Sequence, residues 1–314
     1  MRITERIAAT TEPFFSFELL PPLRGGTIAP LLETVEALLP YRPAFIDVTS
    51  HAGVVTYEEG PDGLKRHIVR RRPGTLAASA LIQHKYGITT VPHVVCKGFT
   101  RQETEDFLID ASYVGIDTVL AIAGDDHGYD KPLTDNRTRN ESALELVQQI
   151  RDLADGKYVS APRQGAPINF DIGVAGYPEK HIQSPNLEAD VRWLKRKLDA
   201  GADYVVTQMF FNNQSYHDFV QRCRGVGIEA PIIPALKVLT AKRQLALLPK
   251  TFFIHLPPEL VDAVEAAPDD QVTDVGIAWA QRQIEDLLEH DVPAIHLYVM
   301  QNPRPTLRLL ERLR

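Results

Sequence analysis

Residues 187–211, LEADVRWLKRKLDAGADYVVTQMFF, carry one full unit of a repeating fold. Apolar residues recur at three- and four-residue intervals from Leu187 through Val191 and Leu194 to Leu198, which is the period of an amphipathic helix. Gly201 follows, where the chain must leave a helix and turn into a strand. From Tyr204 the run YVVTQMF is β-branched and aromatic with almost no polar alternation, the look of a strand buried on both faces of a parallel sheet.

Seven more runs of this kind stand along the chain: FFSFELL from Phe14, AFIDVTS from Ala44, TTVPHVV from Thr89, TVLAIAG from Thr118, FDIGVAG from Phe170, PIIPALK from Pro231 and AIHLYVM from Ala294. Helical periodicity fills the spaces between many of them, as in RQETEDFLIDASYVG, ESALELVQQIRDLA and SYHDFVQRCRGVG, and Gly115 and Gly227 repeat the role of Gly201. Eight strands joined by helical crossovers predict an α/β fold of the (β/α)₈ TIM-barrel type, one catalytic domain over residues 1–314. An open doubly wound sheet usually has fewer strands and often a G-x-G-x-x-G turn, which this chain lacks. Residues 51–75, 125–140 and 250–273 are long connections, expected as active-site loops or added helices, and 155–168 is expected as a surface excursion.

The chain has 314 residues, 44% hydrophobic and 24% charged, enough to bury a large core. A net charge of -7 gives no general attraction for nucleic acid or for an anionic membrane, so a small molecule is the expected partner. Cys96 and Cys223 have neither a disulfide-framework nor a zinc-site spacing. With no secretory signal and no apolar run long enough to span a bilayer, the expected location is the cytoplasm.

In a barrel of this type the chemistry gathers where the strands end. Polar residues there are Glu18, Thr49 with His51, His93, Asp125, Tyr177 with His181, Gln208, Lys237, and Tyr298 with Gln301. Each alone reads equally as a hydrogen-bonded core group, but nearly every strand supplies one. Glu18 lies between Phe17 and Leu19 ahead of Pro21 and Pro22; apolar surroundings would raise its pKa and suit it to general acid catalysis, the competing reading being a salt bridge. Asp125 follows Gly124, where a ligand can approach the backbone, while Asp126 reads as a solvated loop residue. The basic run at Lys195, Arg196 and Lys197 reads either as a solvated helix face or as a phosphate site, and KRHIVRRR around Arg70 as a solvated face. His51, His93 and His181 leave a metal-dependent hydrolase open, but without H-x-H or H-E-x-x-H spacing no metal is expected.

The segments SFELLPP, DVTSHAG, PHVVC, AGD, AGYPEKH, ADVRWLKRKLDAGADYVVTQMFF and IHLYVMQN, in order from Ser16 to about Asn302, resemble the methylenetetrahydrofolate reductase family. The resemblance implies reduction of 5,10-methylenetetrahydrofolate to 5-methyltetrahydrofolate in a homo-oligomeric barrel, with FAD relaying hydride from NADH or NADPH. It implies Glu18 as the acid that opens the imidazolidine ring and Asp125 as a residue touching both pterin and flavin. Gln208, Gln244 and Tyr298 would hold folate. Thr49, Ser50, Ala52, His93, Gly124, Ala143, Tyr177, His181, Asp190, Arg196 and Lys197 fall on flavin-lining positions. The sequence departs from the family pattern at Ala123, which replaces an Arg, at Trp193, Ser50 and Lys237, and at Gln301-Asn302-Pro303-Arg304 after the last strand. A flavin-free reductase, or a barrel that binds folate or flavin without turnover, therefore stands beside the flavin-dependent reading, with Arg137 or Arg139 as other groups that could organise a flavin.

Overall fold

The computed structural model describes residues 2–10, 12–61, 63–125, 129, 131–134 and 136–314. The chain runs α1 (Ile3–Ala9), β1 (Phe14–Leu19), α2 (Ala29–Leu38), β2 (Phe45–Val48), β3 (Val54–Gly60), β4 (Gly63–Val69), α3 (Thr75–Tyr86), β5 (Thr89–Val95), α4 (Arg101–Tyr113), β6 (Thr118–Ile122), α5 (Ala143–Ala154), β7 (Asp171–Gly176), α6 (Leu187–Asp199), β8 (Tyr204–Thr207), α7 (Asn213–Gly225), β9 (Ile232–Ile233), β10 (Ala235–Leu236), α8 (Gln244–Phe252), α9 (Pro258–Ala266), α10 (Val272–Glu289), β11 (Ala294–Met300) and α11 (Arg304–Arg312).

All eight expected strands form. They pair in parallel in the order β10-β11-β1-β2-β5-β6-β7-β8-β9. The ends of that order are two halves of one strand: PIIPALK is divided at Pro234, which has no N–H to give, so β9 pairs with β8 while β10 pairs with β11. The barrel thereby closes on itself, an α/β TIM barrel with eight strand positions.

Alternate strand residues face opposite ways, and two cores result. Outward residues such as Phe17, Ile46, Val119, Ile172, Val205 and Leu236 pack under the surrounding helices. Inward residues Phe45, Val91, Leu120, Tyr204, Val206, Ile233, Ala235 and Ala294 fill the barrel itself. Each large apolar side chain fully buried contributes about 1.5–3 kcal/mol, so the outer belt dominates the stability. The inner packing is tight: a Cβ on Gly173 would lie 2.5 Å from the Tyr204 ring, so only glycine lets that phenol cross the interior. A feature the sequence did not announce closes the bottom. Helix α1 inserts Ile3 into the inner core, and the Thr4 N–H and hydroxyl donate to the Asp171 carboxylate at 3.1 and 2.9 Å.

Residues 51–75 differ from the expectation of loops or added helices. They form an antiparallel hairpin, β3 with β4, in register from Val54↔Val69 to Gly60↔Gly63. Its side chains are mostly solvent-exposed, so it lacks the continuous apolar signal of the barrel strands. Residues 250–273 supply the added helix α9, and 155–168 contain a single backbone bridge, Lys157↔Gln164. Among the described residues no helix is long and apolar enough to cross a membrane.

Candidate active site

The register of the barrel decides which side chains meet. In β1, Glu18 lies opposite Tyr298 of β11 on one side and Asp47 of β2 on the other. His93 lies two residues beyond Val91, the partner of Asp47, and therefore points the same way. Glu18, Asp47 and His93 are all buried, with Asp47 at 0% exposure.

His93 Nε2 stands 3.6 Å from Glu18 Oε2 and 3.5 Å from Asp47 Oδ2. These are ion-pair distances rather than well-formed hydrogen bonds, and neither Asp47 oxygen nor His93 Nε2 has a hydrogen-bond partner. His296, one layer deeper, lies 3.9 Å from Asp47 through Nε2 and 2.8 Å from Ser16 Oγ through Nδ1. Sequence reading missed Asp47 and His296 altogether.

Burial sets the charge of each group. It pushes the Glu18 carboxyl up to about 7, an effect reinforced by Asp47 and Asp125 and opposed by His93 and Lys237. Burial pulls the His93 imidazole down, but Asp47, Glu18 and Asp125 together outweigh it, and the net direction is up. Burial lowers His296 to about 4, so it is neutral at pH 7 even beside Asp47. The layer thus holds a carboxyl able to give up a proton near neutrality, next to an imidazole whose protonation its acidic neighbours favour.

The other expected residues group around this layer unevenly. Tyr298 donates its hydroxyl to the Thr207 carbonyl at 2.9 Å, and burial, then Glu18 and Asp47, raise its phenol well above the usual range. Tyr177 packs edge-on against His181, ring centroids 4.6 Å apart, and burial, then Asp190 and Asp125, raise its phenol above the usual range. Gln208 follows β8 with its N–H on the Gly176 carbonyl at 2.8 Å. Gln244 instead caps its own helix, its Oε1 accepting from the Thr240 and Ala241 N–H groups at 2.6 and 3.0 Å. Ala143 is the first residue of α5. Asp126 lies outside the described residues.

The hairpin shapes one side of the mouth. Arg70, read from sequence as part of a solvated basic run, is half-buried: Nε donates to the His51 carbonyl at 3.0 Å and Nη2 to Ser50 Oγ at 3.3 Å, with the guanidinium 4.9 Å from the centre of the Phe99 ring. Ala52 packs against Gly98, whose φ of 80° and lack of a Cβ both matter; an added Cβ would stand 2.8 Å from that of Ala52. Ser50, Arg70, His93 and Phe99 open into a cavity of 780 Å³ that runs between α3 and α4.

The positions implied for a flavin divide into two groups. At the mouth, Thr49 Oγ1 and His93 Nε2 are buried without hydrogen-bond partners, unmet polar atoms of the kind a heteroaromatic ligand would satisfy. Along α6 the polar groups are already engaged. Lys197 is buried and donates to the Ala175 carbonyl at 2.6 Å, burial bringing its ammonium down to about 8. Asp190 accepts from the His181 N–H and Ser184 Oγ at 2.8 Å each, and exposed Arg196 stacks on Trp193 at 4.4 Å. Arg139 pairs with Glu141 at 2.6 Å. The ring end of a flavin fits the residues present, whereas the phosphate end would have to displace contacts the protein makes with itself.

The family model described as methylenetetrahydrofolate reductase matches residues 2–314. The chain belongs to that family. Among its relatives, a probable methylenetetrahydrofolate reductase (NADPH) of Caenorhabditis elegans is 31% identical over 98% of this chain and 43% of its own length. Methylenetetrahydrofolate reductase (NADH) 1 of Arabidopsis thaliana is 30% identical over 100% of this chain and 51% of its own. The chain spans about half the length of these two. The 5,10-methylenetetrahydrofolate reductase of Escherichia coli is 28% identical over 91% of this chain and 85% of its own. A solved structure of oxaloacetate acetylhydrolase superposes with a TM-score of 0.51 at 9% identity, covering 99% of this chain and 83% of that one, and speaks for the fold alone.

Proposed function

We propose that this chain is the catalytic barrel of a methylenetetrahydrofolate reductase, taking hydride from NADH or NADPH and delivering it to 5,10-methylenetetrahydrofolate. The observation that carries the reading is Glu18, a buried carboxyl raised to about 7 at the mouth of a barrel of this family. The substrate carries its one-carbon unit between two nitrogens. Protonation of one of them by Glu18 breaks its bond to the carbon and leaves an electrophilic iminium, to which hydride adds to give a methyl group. Asp47 favours protonation of His93, and the protonated ring, 3.6 Å from Glu18, would stabilise the carboxylate left after proton transfer. Asp125 after β6 and Gln208 after β8, on either side of β7, supply hydrogen-bonding groups for a pterin ring.

In this proposal FAD would occupy the mouth and would supply the hydride relay between the nicotinamide and folate. Thr49, His93, Gly124 and Tyr177 would meet its ring system, and His181, Asp190, Arg196 and Lys197 its tail. A second reading, direct transfer from nicotinamide to folate, is favoured by one observation: the polar groups along α6 are satisfied within the protein. A bound yellow chromophore in purified protein, bleached anaerobically by NADH or NADPH, supports the first reading, and colourless active protein the second. Both cysteines are free and buried, which supports a reducing compartment such as the cytoplasm.

The acid is tested by Glu18→Gln. Folate-dependent turnover should be abolished while oxidation of nicotinamide by an artificial electron acceptor persists. Undiminished folate turnover in that variant refutes the proposal.

A further inference from the structure

We infer that Lys237 is the positioning cation of the acid: its ammonium, held in the same layer of the barrel as Glu18, governs how readily that carboxyl releases its proton. The inference rests on the reading of Glu18 as the proton donor.

Backbone register places the residue. Ala235 of β10 lies opposite His296 of β11 and Leu236 opposite Leu297, while β1 sets Ser16, Phe17 and Glu18 against His296, Leu297 and Tyr298. One step beyond Leu236, Lys237 reaches the level of Tyr298 and Glu18. Ala235 belongs to the inner core and Leu236 to the outer one, so alternation turns Lys237 back toward the interior. Pro234 and the closing pairs on both sides fix this short segment.

The electrostatics agree with that placement. Burial lowers the Lys237 ammonium, and Glu18 opposes it as the charged group acting on the lysine. Among the described residues Lys237 makes no hydrogen bond or ion pair. A lysine kept only to fill space would be served as well by methionine, which carries no desolvation cost. The groups facing Glu18 are Asp47 from β2, His93 from β5, Asp125 after β6, Lys237 after β10 and Tyr298 from β11. The two aspartates hold the proton on Glu18, and the two cations help it leave. His93 divides its charge between Asp47 and Glu18, at 3.5 and 3.6 Å, whereas Lys237 answers to Glu18. When the O–H bond of Glu18 breaks and its proton passes to the substrate nitrogen, the layer gains one negative charge, and Lys237 is placed to meet it.

Carboxyl ¹³C NMR of the full chain labelled at the glutamate side-chain carboxyl, with the Glu18 signal identified by its loss in Glu18→Gln, reads the coupling without turnover. In Lys237→Met the Glu18 midpoint should move to higher pH by about one pH unit, and Lys237→Arg should bring it back toward the parent value. The alkaline limb of kcat/KM for folate should move in the same direction. An unchanged midpoint in a folded Lys237→Met protein overturns the inference. Failure of both Lys237→Met and Lys237→Gln to fold would make the lysine structural and overturn it too. Full folate turnover in Glu18→Gln would instead sink the reading of Glu18 as acid, while the NMR midpoint still decides whether Lys237 tunes it.

Discussion

Burying an ionisable acid costs stability, and Glu18 makes that cost measurable. Its carboxyl is raised from 4.5 to about 7, chiefly by desolvation. The folded protein therefore holds this proton at pH values where the unfolded chain has released it, and stability falls as pH rises from 4.5 through 7. Below 4.5 both states are protonated and the penalty vanishes; above 7 both are ionised and it levels off. At ~1.36 kcal/mol per pH unit the plateau is about 3 kcal/mol. Glu18→Gln keeps the shape and removes the ionisation. The variant should match the parent near pH 4.5 and exceed it by about 3 kcal/mol at pH 8, while losing folate reduction. Urea unfolding of both proteins at half-unit intervals from pH 4.5 to 8.5 gives the difference curve. A difference independent of pH would show that Glu18 is not held protonated by burial, and the argument for its acid role would fail with it.

Asp47→Asn removes the carboxylate 3.5 Å from His93 Nε2, so the His93 midpoint should fall, read from its ring-proton chemical shift against pH. His93 titrates above its usual value in the folded state, so it contributes stability that is complete below about 6.5 and is lost as pH rises through the folded midpoint; in the variant this pH-dependent component should shrink, and an unmoved midpoint would remove Asp47 as the counter-ion. Gly98→Ala forces a side chain into φ 80° and against Ala52, with an expected loss of about 1–3 kcal/mol in chemical denaturation, partly recovered by adding Ala52→Gly. Parent-like stability in the single variant would mean that the loop after β5 does not need glycine there.

The barrel was legible because parallel strands buried on both faces leave uninterrupted apolar runs, and each of the eight runs became a strand position. The hairpin escaped for the opposite reason: its faces are mostly wet, so KRHIVRRR showed only charge, and the half-buried Arg70 that reaches Ser50 could not be told from its exposed neighbours. Helix α1 escaped because its contribution is two isoleucines, Ile3 and Ile7, and one threonine against the barrel floor, too few residues to make a period. Within the site, polar residues at strand ends stood out, whereas Asp47 and His296 sat inside AFIDVTS and AIHLYVM, where a lone polar residue reads as a satisfied core group. Parity would have found them. Asp47 precedes Thr49 by two residues, as His296 precedes Tyr298, so each shares an inward face with a residue already singled out. The same step joins Ser16 to Glu18 and Ala235 to Lys237, so all four pairs line one chamber. In a closed barrel, a polar residue two positions before a strand-end candidate belongs to the same electrostatic unit, and the acidity of Glu18 depends on those neighbours as much as on its own apolar strand.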